Sequence, residues 1–231
     1  MTFPLYFVVL LVFVQNVVGL RKQPCEFRDD VCLTQAVKQH VFAMFVAGLP
    51  GVEPTEPLHL NTTVINLPKT LYKLNSPVLS GFRNCEFKRL KLDPVESNFI
   101  KEILCPALTL KSVYEVTSED GSVPNEKYQC ETVYHNYFLG FHGLFGKKLD
   151  NFGIPYIHIT SYTVHPDLQG EVTYKCKNSA ETKENNDSYY KKLEELSRPM
   201  VIEKFLHEYM EHLRNFLDVV PLEDLHFRYV V

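Results

Sequence analysis

The sequence predicts an α+β fold: a short N-terminal helix, a long antiparallel sheet and a long C-terminal helix, in that order. Three observations predict it. From Pro199 to Val220 apolar and polar residues divide between opposite faces at helical spacing. Residues 61–176 are mostly strand-like runs separated by turn residues, with no βαβ repetition. Ahead of them, Asp29-Asp30 and Gly48 bracket one further helical stretch as N-cap and C′ residues.

The C-terminal helix is the spine of this arrangement. At 100° per residue, Ile202, Phe205, Leu206, Tyr209, Leu213, Phe216, Leu217 and Val220 fall within about 120° of one another. Glu203, Lys204, His207, Glu208, Glu211, His212, Arg214, Asn215 and Asp218 fall on the other side. At 1.5 Å per residue the helix runs roughly 33 Å, enough to cross a domain, and its stripe requires a cover. Tyr189, Leu193, Leu196 and Met200 form an earlier stripe rotated by roughly half a turn. Proline removes an amide donor and crowds the turn before it, so a break is expected at Arg198–Pro199.

Composition narrows the function. A chain of 231 residues with 24 basic and 28 acidic side chains, net charge −4, has room for a sizeable core. It offers no electrostatic footprint for nucleic acid or an anionic membrane. Residues 1–19 are uncharged, carry the apolar run Leu5 to Val14 and end in Val17-Val18-Gly19. They read as a secretory signal peptide, although no Lys or Arg precedes the run. Gln15 and Asn16 interrupt it well short of the ~20 apolar residues of a membrane span. The mature chain is expected to begin at about Leu20 and to be secreted and extracellular. Asn61-Thr62-Thr63 and Asn186-Asp187-Ser188 are glycosylation sequons.

Six cysteines, Cys25, Cys32, Cys85, Cys105, Cys130 and Cys176, then point to disulfides, with fifteen pairings possible in principle. If Cys25 and Cys32 were both helical they would lie roughly 10 Å apart along the axis, too far to bond. Cys25 is therefore expected in a loop folded back on the first turn. Leu33, Val37, Val41 and Met44 form an ordinary core stripe on this helix, yet from Val41 to Ala47 every side chain is apolar. Phe42, Phe45 and Val46 point away from the stripe, so this end is buried all round or faces a cavity.

After the connector Gly48–Leu58, rich in Pro and Gly, strands are expected around Thr63–Leu67, Val78–Leu92, Asn98–Tyr114, Thr132–Phe141, Ile154–Val164 and Gly170–Cys176. Asp93-Pro94, Asp120-Gly121, Asn151-Phe152-Gly153 and His165-Pro166-Asp167 break the chain between them. A meander is the simplest topology. If Val78–Leu92 and Asn98–Tyr114 form a hairpin turning near Asp93–Val95, opposed residue numbers sum to about 190 and Cys85 faces Cys105. Elimination then pairs Cys130 with Cys176.

Signals for catalysis are missing. No Gly-x-Ser-x-Gly motif and no phosphate-cradling glycine loop occurs. His207-Glu208-Tyr209-Met210-Glu211-His212 has the wrong spacing for a zinc helix, because its histidines lie about 140° apart, and both read as solvated. His135, His142, His158 and His165 are scattered. No cofactor, no metal and no enzymatic activity is expected.

Several stretches resemble the insect juvenile hormone-binding protein and takeout family. They are Cys25-x6-Cys32-Leu33, Gly48-Leu49-Pro50-Gly51-Val52 followed by Glu56-Pro57-Leu58, and Leu79-Ser80-Gly81-Phe82 with Lys91-Leu92-Asp93. Cys105-Pro106-Ala107-Leu108-Thr109-Leu110 with Tyr114, and Val219-Val220-Pro221-Leu222-Glu223-Asp224-Leu225, complete the set. Order and spacing make the match specific across the mature chain. The resemblance implies that residues 20–231 are a single domain, with a strongly curved antiparallel sheet wrapped around the C-terminal helix and enclosing a hydrophobic tunnel. It implies a secreted haemolymph-type carrier of juvenile hormone, a fatty acid or a related lipid, without catalysis and monomeric. Cys85 and Cys105 look like an addition to the family's usual bridges, and the segment after Cys176 looks short.

Within that frame Val41, Phe42, Phe45 and Val46 are expected at one end of the tunnel. Phe205, Tyr209, Leu213 and Phe216 would form its helical wall, and Tyr137, Leu139, Phe141 and Ile159 part of its sheet wall. Tyr209 or Tyr137 would orient a polar end of the ligand. The competing reading is an extracellular interaction protein with a filled core that acts through its surface.

Overall fold

A computed structural model describes residues 23–67, 70–118, 126–178 and 188–229. Residues 1–19, read as a signal peptide, the breaker Asp120-Gly121 and the Asn186 sequon lie outside them, as do the side chains of Tyr189 and Leu193. In chain order the elements are β1 (Cys25–Glu26), α1 (Asp30–Ala36), a π-helical turn (Val37–Val41) and α2 (Phe42–Ala47). Then come β2 (Leu58–His59), β3 (Thr63–Leu67), β4 (Thr70–Ser80), a 3-10 turn (Phe82–Asn84) and β5 (Glu86–Asp93). They are followed by β6 (Asn98–Ser118), β7 (Glu126–Leu149), β8 (Pro155–Leu168), β9 (Val172–Asn178), α3 (Ser188–Val219) and β10 (Phe227–Arg228). The chain is thus a curled antiparallel sheet with a long C-terminal helix and a short N-terminal one.

Two long strands organise the eight-stranded sheet. β6 pairs with β7 along almost its whole length, and each changes its outer partner halfway. β5 covers β6 from Asn98 to Leu104 and β4 covers it from Thr109 to Ser118. On the other side β8 covers β7 from Tyr137 to Leu149 and β9 covers it from Tyr128 to Tyr134. The inward-facing residues of both central strands change phase at the same level. Phe99, Lys101, Ile103 and Cys105 are buried before Pro106, and Leu108, Leu110, Ser112, Tyr114 and Val116 after it. Opposite Pro106, Asn136 has a positive φ of 50°, a left-handed conformation that asparagine tolerates. A shared phase change lets the sheet bend without losing its inward apolar face.

Val78–Leu92 is not one strand. β4 and β5 both pair with β6, and the 3-10 turn separates them. Its geometry explains why three family-like segments occur where they do. Gly81, at φ 115°, packs directly on the Ala107 carbonyl, where a Cβ would clash. The amides of Gly81 and Phe82 donate to the Glu56 carboxylate at 2.9 and 2.7 Å. Alternation along β5 is loose because its register shifts between Phe87 and Arg89, which places Phe87, Leu90 and Leu92 all inward. β7 is far longer than the Thr132–Phe141 segment read from sequence, because Phe and Gly residues continue its pairing with β8 to Leu149.

Helix α3 runs unbroken through Pro199, contrary to the expected break. Pro199 lies on the exposed side, and its turn is reinforced by a Ser197 hydroxyl donating to the Glu194 carbonyl and by the Arg198–Glu194 ion pair at 2.7 Å. Of the separate stripe, Leu196 departs, while Met200 packs partly buried against the core. Leu196 is 53 % exposed, while Glu194 and Ser197 are buried and continue the inward face of Val201, Ile202, Phe205 and Leu206. Polar residues on the core face disguised the periodicity.

Three disulfides join Cys25 to Cys32, Cys85 to Cys105 and Cys130 to Cys176. Asp29 caps α1 by accepting from the Cys32 amide at 2.9 Å. β1 runs parallel to β10, so the two ends of the described chain close over one end of the interior.

Candidate ligand cavity

The cavity begins with a helical irregularity. The stripe read from sequence on the N-terminal helix continues through Val41 to Met44. The π-helical turn inserts one extra residue, so the buried positions become Leu33, Val37, Val41, Phe42, Phe45 and Val46, and Met44 is only partly buried. This rotation directs Phe42 and Phe45 inward. Thr55, itself buried, donates to the Phe45 carbonyl at 3.0 Å and holds the helix end against the connector.

Between this helix, the inner face of β5 to β8 and the C-terminal part of α3 lies an apolar cavity of about 70 Å³. At the ~30 Å³ a water molecule takes in the liquid it has room for about two, yet almost no polar partner for them. Of the expected residues, Val41, Phe42, Phe45, Ile159 and Leu213 line it. Val46, Tyr137, Leu139, Phe141, Phe205, Tyr209 and Phe216 are buried but are not among its lining residues. Phe216 meets the edge of Phe45 at 5.5 Å, and Tyr209 is stacked between Phe82 and Phe141 at 5.1 and 5.3 Å.

Sequence reading missed Val37, Phe87, Leu90, Leu92, Phe99, Phe145, Ile157, Leu217 and Phe227 as lining residues. Val37 and Leu217 had been placed on core stripes, but their exposure to a void depends on the sheet's curl. A tenth, Lys101, carried a signal. The alternation Phe99, Lys101, Ile103 puts a lysine on an inward face, where an unpaired lysine is rarely found.

Lys101 is 5 % exposed. Its Nζ donates to the Tyr209 hydroxyl at 2.6 Å and lies 5.1, 5.4 and 4.4 Å from the ring centres of Phe45, Phe141 and Tyr209. Burial pulls its pKa down to about 7 and pushes that of Tyr209 far above the usual phenol value.

Farther along α3 buried polar side chains, Glu194 and Ser197 among them, enter the interior. The Glu194 carboxylate accepts from Tyr134 at 3.0 Å and from Arg198 at 2.7 Å, and the same Arg198 Nη2 also donates to the Tyr174 hydroxyl at 2.9 Å. Tyr72 and Tyr114 stack beside this network at 5.0 Å. Burial raises the pKa of Tyr137 and Tyr174 to about 12.

His212 differs from its solvated reading. Its side chain is only 11 % exposed, with Nε2 3.5 Å from Glu208, and its buried Nδ1 has no hydrogen-bond partner among the described residues. His207 stays exposed beside Glu203 and Tyr162. Among the described residues no group of three His, Cys, Asp or Glu side chains is placed to hold a metal ion, and no helix is long and apolar enough to cross a membrane.

Comparison with known proteins follows the geometry. The profile of the family described as haemolymph juvenile hormone binding protein matches residues 7–225. The chain is similar to the crystal structure of Takeout 1 from Epiphyas postvittana, with a TM-score of 0.74 and 21 % identity over 91 % of this chain and 100 % of that one. A lipopolysaccharide binding protein aligns at a TM-score of 0.37 and 13 % identity over 80 % of this chain and 35 % of that one, too weak to carry an argument. A search of curated proteins gives no match.

Proposed function

Because the chain belongs to the haemolymph juvenile hormone binding protein family, we propose that it is a secreted carrier that encloses a small, elongated hydrophobic ligand in its interior. The observation that carries this reading is the apolar cavity between the N-terminal helix, the sheet and α3. Water gains little there, so apolar chain is the occupant the lining favours. The ligand class is a fatty acid, a juvenile hormone or a related lipid or terpenoid. Val41, Phe42, Phe45, Ile159 and Leu213 would touch its chain directly. Val46, Tyr137, Leu139, Phe141, Phe205, Tyr209 and Phe216 would come into contact as a longer chain displaced side chains beyond the cavity.

A magnitude limits the bare cavity. Burying two or three methylenes, all that about 70 Å³ holds, contributes about 2 kcal/mol, weaker than millimolar affinity. Useful retention therefore requires a longer chain or a head-group contact. Native mass spectrometry of the secreted protein, followed by organic extraction, tests the reading. A stoichiometric lipid lost on extraction is expected. A mass of polypeptide, disulfides and glycan alone, with no saturable uptake of fatty acids or juvenile hormone, would instead favour a filled-core protein acting through its surface.

A further inference from the structure

We propose that Lys101, together with the Tyr209 hydroxyl, receives the carboxylate head of a long-chain acid whose tail lies in the cavity. This deepens the carrier reading and rests on it. Lys101 projects from the inner face of β6, between the buried Phe99 and Ile103; its methylene stem borders the cavity, and its Nζ turns from that edge toward Tyr209. The ammonium group has three N–H donors. One reaches the Tyr209 oxygen, and no other oxygen acceptor and no carboxylate pairs with Nζ among the described residues. Around it stand only the rings of Phe45, Phe141 and Tyr209.

Ring faces attract a cation but do not replace its lost water or neutralise it. A buried cation held this way lacks a counterion, and the adjoining void is apolar. An amphiphile with an apolar tail and an anionic head supplies both missing parts at once. A carboxylate suits the donors: one ammonium and one hydroxyl can satisfy its two oxygens. A phosphate head would bring more oxygens than these two groups can serve, and at this depth they would be left dry. The lowered pKa of Lys101 is consistent with a site whose charge is completed by its ligand. A neutral ester of the same chain offers only a carbonyl acceptor and cannot neutralise the lysine.

The test compares dodecanoic acid with methyl dodecanoate on the full secreted protein at pH 7, by calorimetry and competitive native mass spectrometry. The acid is expected to bind at least tenfold more tightly than the ester. In Lys101→Met, which keeps the chain length, the acid should lose at least tenfold while the ester changes less than twofold. Tyr209→Phe keeps the ring and should cost the acid a fewfold only. Equal affinities for acid and ester in the unaltered protein would overturn the proposal and leave the carrier reading intact. So would equal losses for both ligands in Lys101→Met. Binding of neither ligand, nor of longer homologues, would overturn both readings, and the acid-to-ester ratio of the unaltered protein decides the matter even if a variant fails to fold.

Discussion

At one end of the interior Val41, Phe42, Leu213 and Phe227 surround an unfilled apolar space. About 22 Å along the same helix, at 1.5 Å per residue from Leu213 to Arg198, Glu194 and Arg198 are instead tied to tyrosine hydroxyls. The difference shows how one curled sheet can hold an apolar end and a polar, hydrogen-bonded end. Apolar side chains tolerate a void because no polar group is left unpaired in it. A charged network tolerates none, because each of its donors and acceptors needs a partner. Lys101 stands at the boundary, a cation placed with the apolar half.

The comparison can be broken at either end. The largest effect is expected from replacing Cys130 and Cys176 together by alanine, which frees a loop with a sequence separation of 46 at the polar end. The chain-entropy model puts the loss at about 4 kcal/mol. Urea unfolding should show it as a lower midpoint with added lipid giving no special recovery.

Phe45→Ala at the open end should destabilise by roughly 3–4 kcal/mol, since the ring meets both Tyr209 and Phe216. Here a fitting hydrocarbon should restore part of the melting temperature, because it occupies the new volume. Glu194→Ala should cost about 3 kcal/mol by leaving Arg198 without its counter-charge and the Tyr134 hydroxyl without its acceptor, and a lipid should stabilise it no more than it stabilises the unaltered protein. Extra stabilisation of both variants, or of neither, by the same lipid would erase the distinction between the ends.

A smaller effect concerns pH. The folded pKa of Lys101 is about 7, below its unfolded value of 10.5. Between those values the unfolded chain binds more protons, so stability rises with pH; below about 7 the full cost of the buried charge is present. From pH 7 to pH 9 the ligand-free protein should gain about 2 kcal/mol from this group, a rise that Lys101→Met should lack. Smallest of all, Leu196→Ala should change stability by less than about 0.5 kcal/mol, because the side chain faces solvent. A loss of several kcal/mol there would return Leu196 to the core and undo the placement of Glu194 beneath the sheet.

Much was legible in the residues alone. The inward stripe from Ile202 to Val220, the capped helix from Asp29 to Gly48 and the facing of Cys85 and Cys105 all follow from local spacing. Readings failed where a residue's role came from partners distant in sequence. Glu194 and Ser197 escaped the stripe read through Leu196 because nothing near them in sequence announces Tyr134 across the interior. Pro199 read as a stop because the local rule counts one lost amide bond and not the helix's packing. Met44 was placed inward because a π-helical turn leaves no mark in periodicity.

The candidate site divides the same way. Apolar residues of the helices could be named as interior from their spacing, since burial is periodic along a helix. Which of them face a void and which pack solid depends on how far a bent sheet stands from α3, and no local pattern encodes that distance. Val41, Phe42, Phe45, Ile159 and Leu213 border the cavity, whereas Phe205, Tyr209 and Phe216 fill the interior beside it. Lys101 shows both levels at once. Its inward position was written in the alternation of Phe99, Lys101 and Ile103, but only the tertiary structure places it against Tyr209, more than a hundred residues away in sequence, at the edge of an apolar space. Local chain geometry determined the elements and their faces; the balance of packing and desolvation between those faces decided where the interior stays open.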